Sequence, residues 1–173
     1  MKFLIMSRAE IESMAENCFE EHTALISITD ANFEFAHLTH KPEFLLQIAF
    51  DDVDNDVFID RLGRKPNKSE RQSLEEQYNM LTDGQAIEIA SFYHENKDAI
   101  STLICQCEHG QSRSAAVAAA ILEFRSRRGI SVFANDNFYP NKVVFRKVLA
   151  ALKDHAAPPD TALANFTNES CDQ

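Results

Sequence analysis

Apolar residues in this chain come in short runs separated by longer stretches with helical spacing. Phe3–Met6 is the first run, and Ser7 then leads into a segment where Ile11, Met14 and Ala15 fall on one helical face, predicting a helix over 8–17. Thr23–Thr29 (TALISIT) is rich in β-branched residues and stops at Asp30-Ala31-Asn32, a turn sequence. Glu43–Phe50 (EFLLQIAF) is a further strand, broken by the acidic run Asp51-Asp52-Val53-Asp54-Asn55-Asp56. Residues 60–69 (DRLGRKPNKS), basic and punctuated by Gly and Pro, read as an exposed connector.

Two helices are predicted next. One covers Ser69–Met80. The other starts at Thr82, with Gln85 three positions on as in a capping box, runs to about Lys97, and turns Ile87, Ala90 and Phe92–Tyr93 to the core. Ser101–Cys107 (STLICQC) is the last strand, and a short loop joins it to the Ala-rich helix Ser114–Arg128, with Gly129 where a C′ glycine belongs. A final helix is expected over Lys142–His155, entered through Tyr139-Pro140-Asn141. Strands alternating with helices predict an α/β fold: one domain over 1–157, with a mostly parallel central sheet of about four to five strands flanked by helices, and a polar tail over 158–173.

Composition narrows the partners. The chain has 173 residues and a formal net charge of −10, which repels nucleic acid and anionic lipid and argues against both as obligatory partners. No apolar run reaches the roughly 18 residues of a membrane span, and the patch after Lys2 is shorter than the roughly 7–15 residues of a signal peptide. The four cysteines (Cys18, Cys105, Cys107, Cys171) form no CxxC pair and no disulfide framework. Thiols without an export signal are expected in a reducing, cytoplasmic compartment.

The segment Cys107-Glu108-His109-Gly110-Gln111-Ser112-Arg113-Ser114 stands between a predicted strand and a predicted helix. Such a junction is an anion site, because unpaired N–H groups of the loop and first helical turn converge and the helix dipole adds positive potential. Gly110 permits the bend, and Arg113 offers parallel N–H donors to an oxyanion. The same donors favour a thiolate at Cys107, and Ser114 is placed to hydrogen-bond the sulfur as it leaves.

Cys-x5-Arg-Ser in this context resembles the phosphate-binding loop of the protein tyrosine phosphatase superfamily. The Gly-x-x-Arg-Ser half is most similar to the dual-specificity branch, and Leu103–Ile121 is similar to small bacterial predicted tyrosine phosphatases. The resemblance implies a phosphocysteine route on phosphorylated protein or peptide, with no metal or other cofactor. Phosphotyrosine is the expected target, with phosphoserine or phosphothreonine second. Cys107 is then the nucleophile, Arg113 and residues Glu108, His109, Gly110, Gln111 and Ser112 bind substrate, and Ser114 assists departure of sulfur.

The resemblance also implies an aspartic acid that protonates the leaving oxygen, just after the strand Leu45–Phe50. Asp52 is the first choice, Asp51 the second and Asp54 the third. Asp52 precedes Cys107 by 55 residues, longer than the resemblance leads one to expect, and 61–81 reads as an insertion. Two departures stand out. Gln106 occupies the place of the family's histidine, and Glu108 opposes a dianion unless it points outward. Alternatives are a phosphate-binding module that turns substrate over weakly, and a phosphatase for a non-protein phosphomonoester. A calcium loop starting at Asp52-x-Asp54-x-Asp56 is disfavoured by Val57 and Gly63 at its sixth and twelfth positions.

Overall fold

The computed structural model describes residues 1–156; the expected tail over 158–173 lies outside the described residues. The chain is an α/β protein with four parallel strands. These are β1 (Lys2–Met6), β2 (Thr23–Thr29), β3 (Phe44–Ala49) and β4 (Thr102–Gln106), in the order β1-β4-β2-β3. The helices are α1 (Arg8–Ala15), α2 (Asn55–Leu62), α3 (Lys68–Gln77), α4 (Asp83–Asn96), α5 (Arg113–Ser126), α6 (Ile130–Phe133) and α7 (Lys142–Ala156).

Strand β4 enters last and slots between β1 and β2, pairing Phe3 with Leu103 on one side and Ile26 with Cys105 on the other. With neighbours on both edges it is buried throughout, which is why its sequence is apolar without alternation. One face of the sheet carries Leu25 and Ile104 against Ile11 of α1. The other carries Ile26, Ile28, Ile48, Leu103 and Cys105 against α4, α5 and α7. Helix α5 is buried on all sides from Arg113 to Ile121, and its run of alanines lets sheet and helices approach that closely. In such a sheet the carboxyl ends of the strands, at the point where the chain reverses direction, form the natural ligand crevice.

Several elements differ from the sequence reading. The acidic loop ends early: α2 starts at Asn55 and reaches Leu62, and α3 starts at Lys68, so only 63–67 of the 60–69 span is a connector. Phe58, Leu74 and Met80 form a small cluster with Val143 of α7, so residues 61–81 pack as part of two helices on the main body. Ala90 and Tyr93 of α4 are buried as expected and Phe92 packs partly against the core, but Ile87 is 47% exposed and its place is taken by Ala86 and Ile89. Helix α5 ends through Arg127, which takes the left-handed conformation at φ 58°, while Gly129 has φ −54° and precedes α6. A Cβ on Gly129 would stand 2.6 Å from the Ala119 carbonyl, so close packing and not a helix cap requires glycine there. No helix among the described residues is long and apolar enough to cross a membrane.

Candidate active site

The ends of all four strands meet at one place. Arg8 follows β1, Asp30 follows β2, Asp52 follows β3 and Cys107 follows β4. The loop from Cys107 to Ser112 then delivers Arg113 as the first residue of α5.

Cys107 is 2% exposed, and its Sγ lies 3.1 Å from Ser114 Oγ, itself fully buried. Among the described residues, the N–H groups of Glu108, His109, Gly110, Gln111 and Ser112 donate to no protein acceptor. The carbonyls of the same loop are engaged: Glu108 accepts from Arg8 N (3.1 Å), Gln111 from Tyr139 N (2.9 Å) and Ser112 from Ala116 N (2.8 Å). A loop held by its carbonyls, with its N–H groups left over, is the polarity an anion site requires.

Gly110 lies at φ 68°, and a Cβ there would sit 2.6 Å from Ser7 N and 2.7 Å from the Met6 carbonyl carbon. The loop therefore rests on the start of α1, where Ser7 and Glu10 form a capping box. Both backbone conformation and contact demand glycine.

The Arg113 guanidinium is buried, with the residue 3% exposed. Its Nη1 donates to the Phe50 carbonyl (2.7 Å) and to Asp30 Oδ1 (2.7 Å). Its Nε is buried with no hydrogen-bond partner among the described residues; Asp52 Oδ2 is the nearest carboxylate oxygen recorded, at 3.9 Å. A buried, unpaired guanidinium donor is costly.

The three candidate aspartates go different ways. Asp52 Oδ1 accepts from Ser112 Oγ (2.8 Å) and from Asn141 Nδ2 (3.0 Å), which brings its carboxylate to the loop. Asp51 Oδ1 accepts from Ala31 N (2.9 Å) and its Oδ2 from Asn79 Nδ2 (3.3 Å), bracing neighbouring turns. Asp54 Oδ2 accepts from Lys142 N at the start of α7 (3.4 Å).

Glu108 is turned to Arg8, whose Nε donates to its Oε2 at 2.7 Å. That pairing offsets the carboxylate beside an anion loop. Gln106 is fully buried; its Oε1 accepts from Ser27 Oγ on β2 (2.7 Å) and its Nε2 has no partner among the described residues. Cys105 is also buried, and burial first, then neighbouring Cys107, push its thiol well above the ordinary range. It stays protonated and inert. A groove of about 440 Å³ beside the loop is lined by Arg8, Asp30, Phe33, Glu34 and Glu108. The more voluminous cavity, about 730 Å³ between α1 and the sheet, is lined by none of residues 107–113.

Asp30 and Asn141 escaped the sequence reading. Asp30 sits in what reads as an ordinary turn, and Asn141 in what reads as the entry to a helix; their only sequence signal is position just past a strand and just before a helix.

No protein-family model and no curated protein sequence matches the chain. Among solved structures it is similar to Tk-PTP in the active form, at 16% identity and a TM-score of 0.49, covering 88% of this chain and 90% of that one. It is also similar to PTPMT1, at 13% identity and a TM-score of 0.46, with the same coverage.

Proposed function

We propose that this protein is a cysteine-dependent phosphomonoester hydrolase whose substrate is phosphotyrosine in a protein or peptide, with phosphoserine and phosphothreonine as secondary targets. The observation that carries this reading is the pairing of a buried thiol with unengaged donors: Cys107 at the mouth of a loop whose N–H groups have no protein acceptor, next to an arginine whose Nε is unpaired. Phosphate has the charge and the oxygens to satisfy them.

In the first step the Cys107 thiolate attacks phosphorus, forming a sulfur–phosphorus bond as the phosphorus–oxygen bond to the leaving group breaks. Asp52, protonated, gives its proton to the departing oxygen. Loop N–H groups and Arg113 hold the three remaining oxygens, most tightly as charge moves onto them. In the second step Asp52, now a carboxylate, takes a proton from water. The water oxygen attacks phosphorus, phosphate leaves, and sulfur recovers its electron pair as thiolate. Ser114 Oγ, 3.1 Å from the sulfur, donates to it at that moment.

Gln106 favours a second reading, phosphate binding with little turnover, because its amide, bound to Ser27 on the neighbouring strand, carries no positive charge next to the nucleophile in sequence. Hydrolysis of para-nitrophenyl phosphate and of a phosphotyrosine peptide separates the two. The proposal expects turnover that Cys107→Ser abolishes while phosphopeptide binding persists. Binding without turnover in the unaltered protein selects the second reading, and activity surviving Cys107→Ser rejects the first.

A further inference from the structure

Asn141 precedes α7 and is buried, 4% exposed, with every polar atom of its side chain engaged. Its Oδ1 accepts from Val143 N (3.0 Å) and Val144 N (3.1 Å), so it closes the first turn of α7. Its Nδ2 donates in the opposite direction, to Asp52 Oδ1 (3.0 Å) and to the Val53 carbonyl (3.1 Å). Its main-chain N–H reaches the Ser112 carbonyl at 3.4 Å. One amide thus joins a helix end, the loop that carries Asp52 and the loop that carries Cys107.

A cap alone needs only an oxygen, and serine, threonine or aspartate serves as well as asparagine. The second half of this side chain has a different use. Asp52 Oδ1 receives two donors, Asn141 Nδ2 and Ser112 Oγ. An oxygen that accepts two hydrogen bonds is a poor place for a proton. Its partner Oδ2, 3.9 Å from Arg113 Nε, accepts no hydrogen bond among the described residues.

We infer that Asn141 is a positioning residue for proton transfer: together with Ser112 it fixes Asp52 Oδ1 as acceptor, so that the transferable proton is carried on Oδ2, the oxygen on the guanidinium side. This rests on the reading of Asp52 as the proton donor. Asn141 touches neither substrate nor the reacting atoms. Its effect on rate passes through the orientation of one carboxyl group.

The test is the dependence of kcat/KM on the leaving group, across aryl phosphates from dinitrophenyl to unsubstituted phenyl. A good leaving group departs without a proton and a poor one does not, so loss of proton transfer steepens the dependence. Asn141→Ser keeps an oxygen for the cap and removes the donor to Asp52; Asn141→Asp keeps the cap and sets a second carboxylate there. Both are expected to lose roughly 10- to 100-fold on phenyl phosphate and less than about threefold on dinitrophenyl phosphate, a partial loss below the roughly 100- to 10,000-fold that a general acid supplies in full. The thermal unfolding midpoint should fall in both variants, since the Val53 carbonyl loses a buried donor; the leaving-group slope, which stability alone does not change, is the deciding readout. Equal loss on every substrate makes Asn141 merely structural and overturns the inference, as does an unchanged slope in both variants. Asp52→Asn is the separating arm: if it steepens the slope and the Asn141 variants do not, the inference fails and the reading of Asp52 stands. If Asp52→Asn leaves the slope unchanged, both fall.

Discussion

Asp30 Oδ1 stands 2.7 Å from Arg113 Nη1, joining the turn after β2 to the first residue of α5 across 83 positions of sequence. The same Nη1 also meets the Phe50 carbonyl at 2.7 Å, so one edge of the guanidinium is fully held while Nε stays unpaired. Holding one edge fixes the plane of the fork, and a fixed fork loses less entropy when it grips an oxyanion. Asp30→Asn keeps the shape and removes the charge. A hydrogen bond to a charged group contributes about 1.5–3 kcal/mol, so kcat/KM on para-nitrophenyl phosphate is expected to fall roughly 10- to 100-fold. A variant as active as the unaltered protein would remove Asp30 from any role at the site.

Arg8 and Glu108 form the second relationship open to a direct test. Arg8 Nε lies 2.7 Å from Glu108 Oε2, and both side chains are partly exposed, so solvent weakens the pair. Arg8→Ala leaves the Glu108 carboxylate uncompensated beside the loop. The inhibition constant of inorganic phosphate is expected to rise roughly 3- to 10-fold, in line with the modest worth of partly exposed pairs. Glu108→Gln added to Arg8→Ala should restore phosphate affinity, because the repelling charge is then gone. A double variant as weak as the single one would mean that Arg8 acts through the fold and not through Glu108.

Gly110 carries a prediction about stability as well as activity. Alanine there must adopt φ 68°, which costs about 1–2 kcal/mol by itself, and its Cβ meets Ser7 N at 2.6 Å. Urea denaturation of Gly110→Ala should show a midpoint shift corresponding to at least that loss. Turnover should fall further than folding does, because Ser7 and the loop must part to make room.

Arg64 and Glu70 give a pH dependence whose sign follows from the pair itself. Arg64 Nη1 and Nη2 donate to the Glu70 carboxylate at 2.8 and 2.6 Å, and Asn67 N donates to it at 2.9 Å. The hydrogen bond from Arg64 first, then that from Asn67, holds the carboxyl down to about 2 from its usual 4.5. A depressed folded value means the pair supports the start of α3 above pH 4.5, and that support drains away as pH falls toward 2. Carboxyl-carbon NMR should place the Glu70 midpoint near the lower figure. In Arg64→Ala the midpoint should climb toward the ordinary range; a midpoint unmoved by the substitution would show that the contact is not held in solution.

Much of the local structure is legible without coordinates. The β2 run, the capping box at Thr82, the Ala-rich helix and the strand–loop–helix context of Cys107 depend on neighbours within a few residues, which the sequence displays directly. Ile87 and Gly129 mark the limit of that view. Both have side chains or spacing suited to the expected role, yet Ile87 faces solvent while Ala86 and Ile89 join Ala90 and Tyr93 in the core, and close packing beneath Ala119 assigns Gly129 a different task.

What the sequence determines on its own is that Cys107 and Arg113 lie at the two ends of one short loop, six residues apart between a strand and a helix. Tertiary structure alone decides which acids and amides join them. Inserting β4 between β1 and β2 brings the residues after four strands to one rim, and the start of α7 completes it. Asp30, Asp52, Arg8 and Asn141 are therefore neighbours by virtue of strand order, and strand order is fixed by how apolar faces far apart in the chain are buried together.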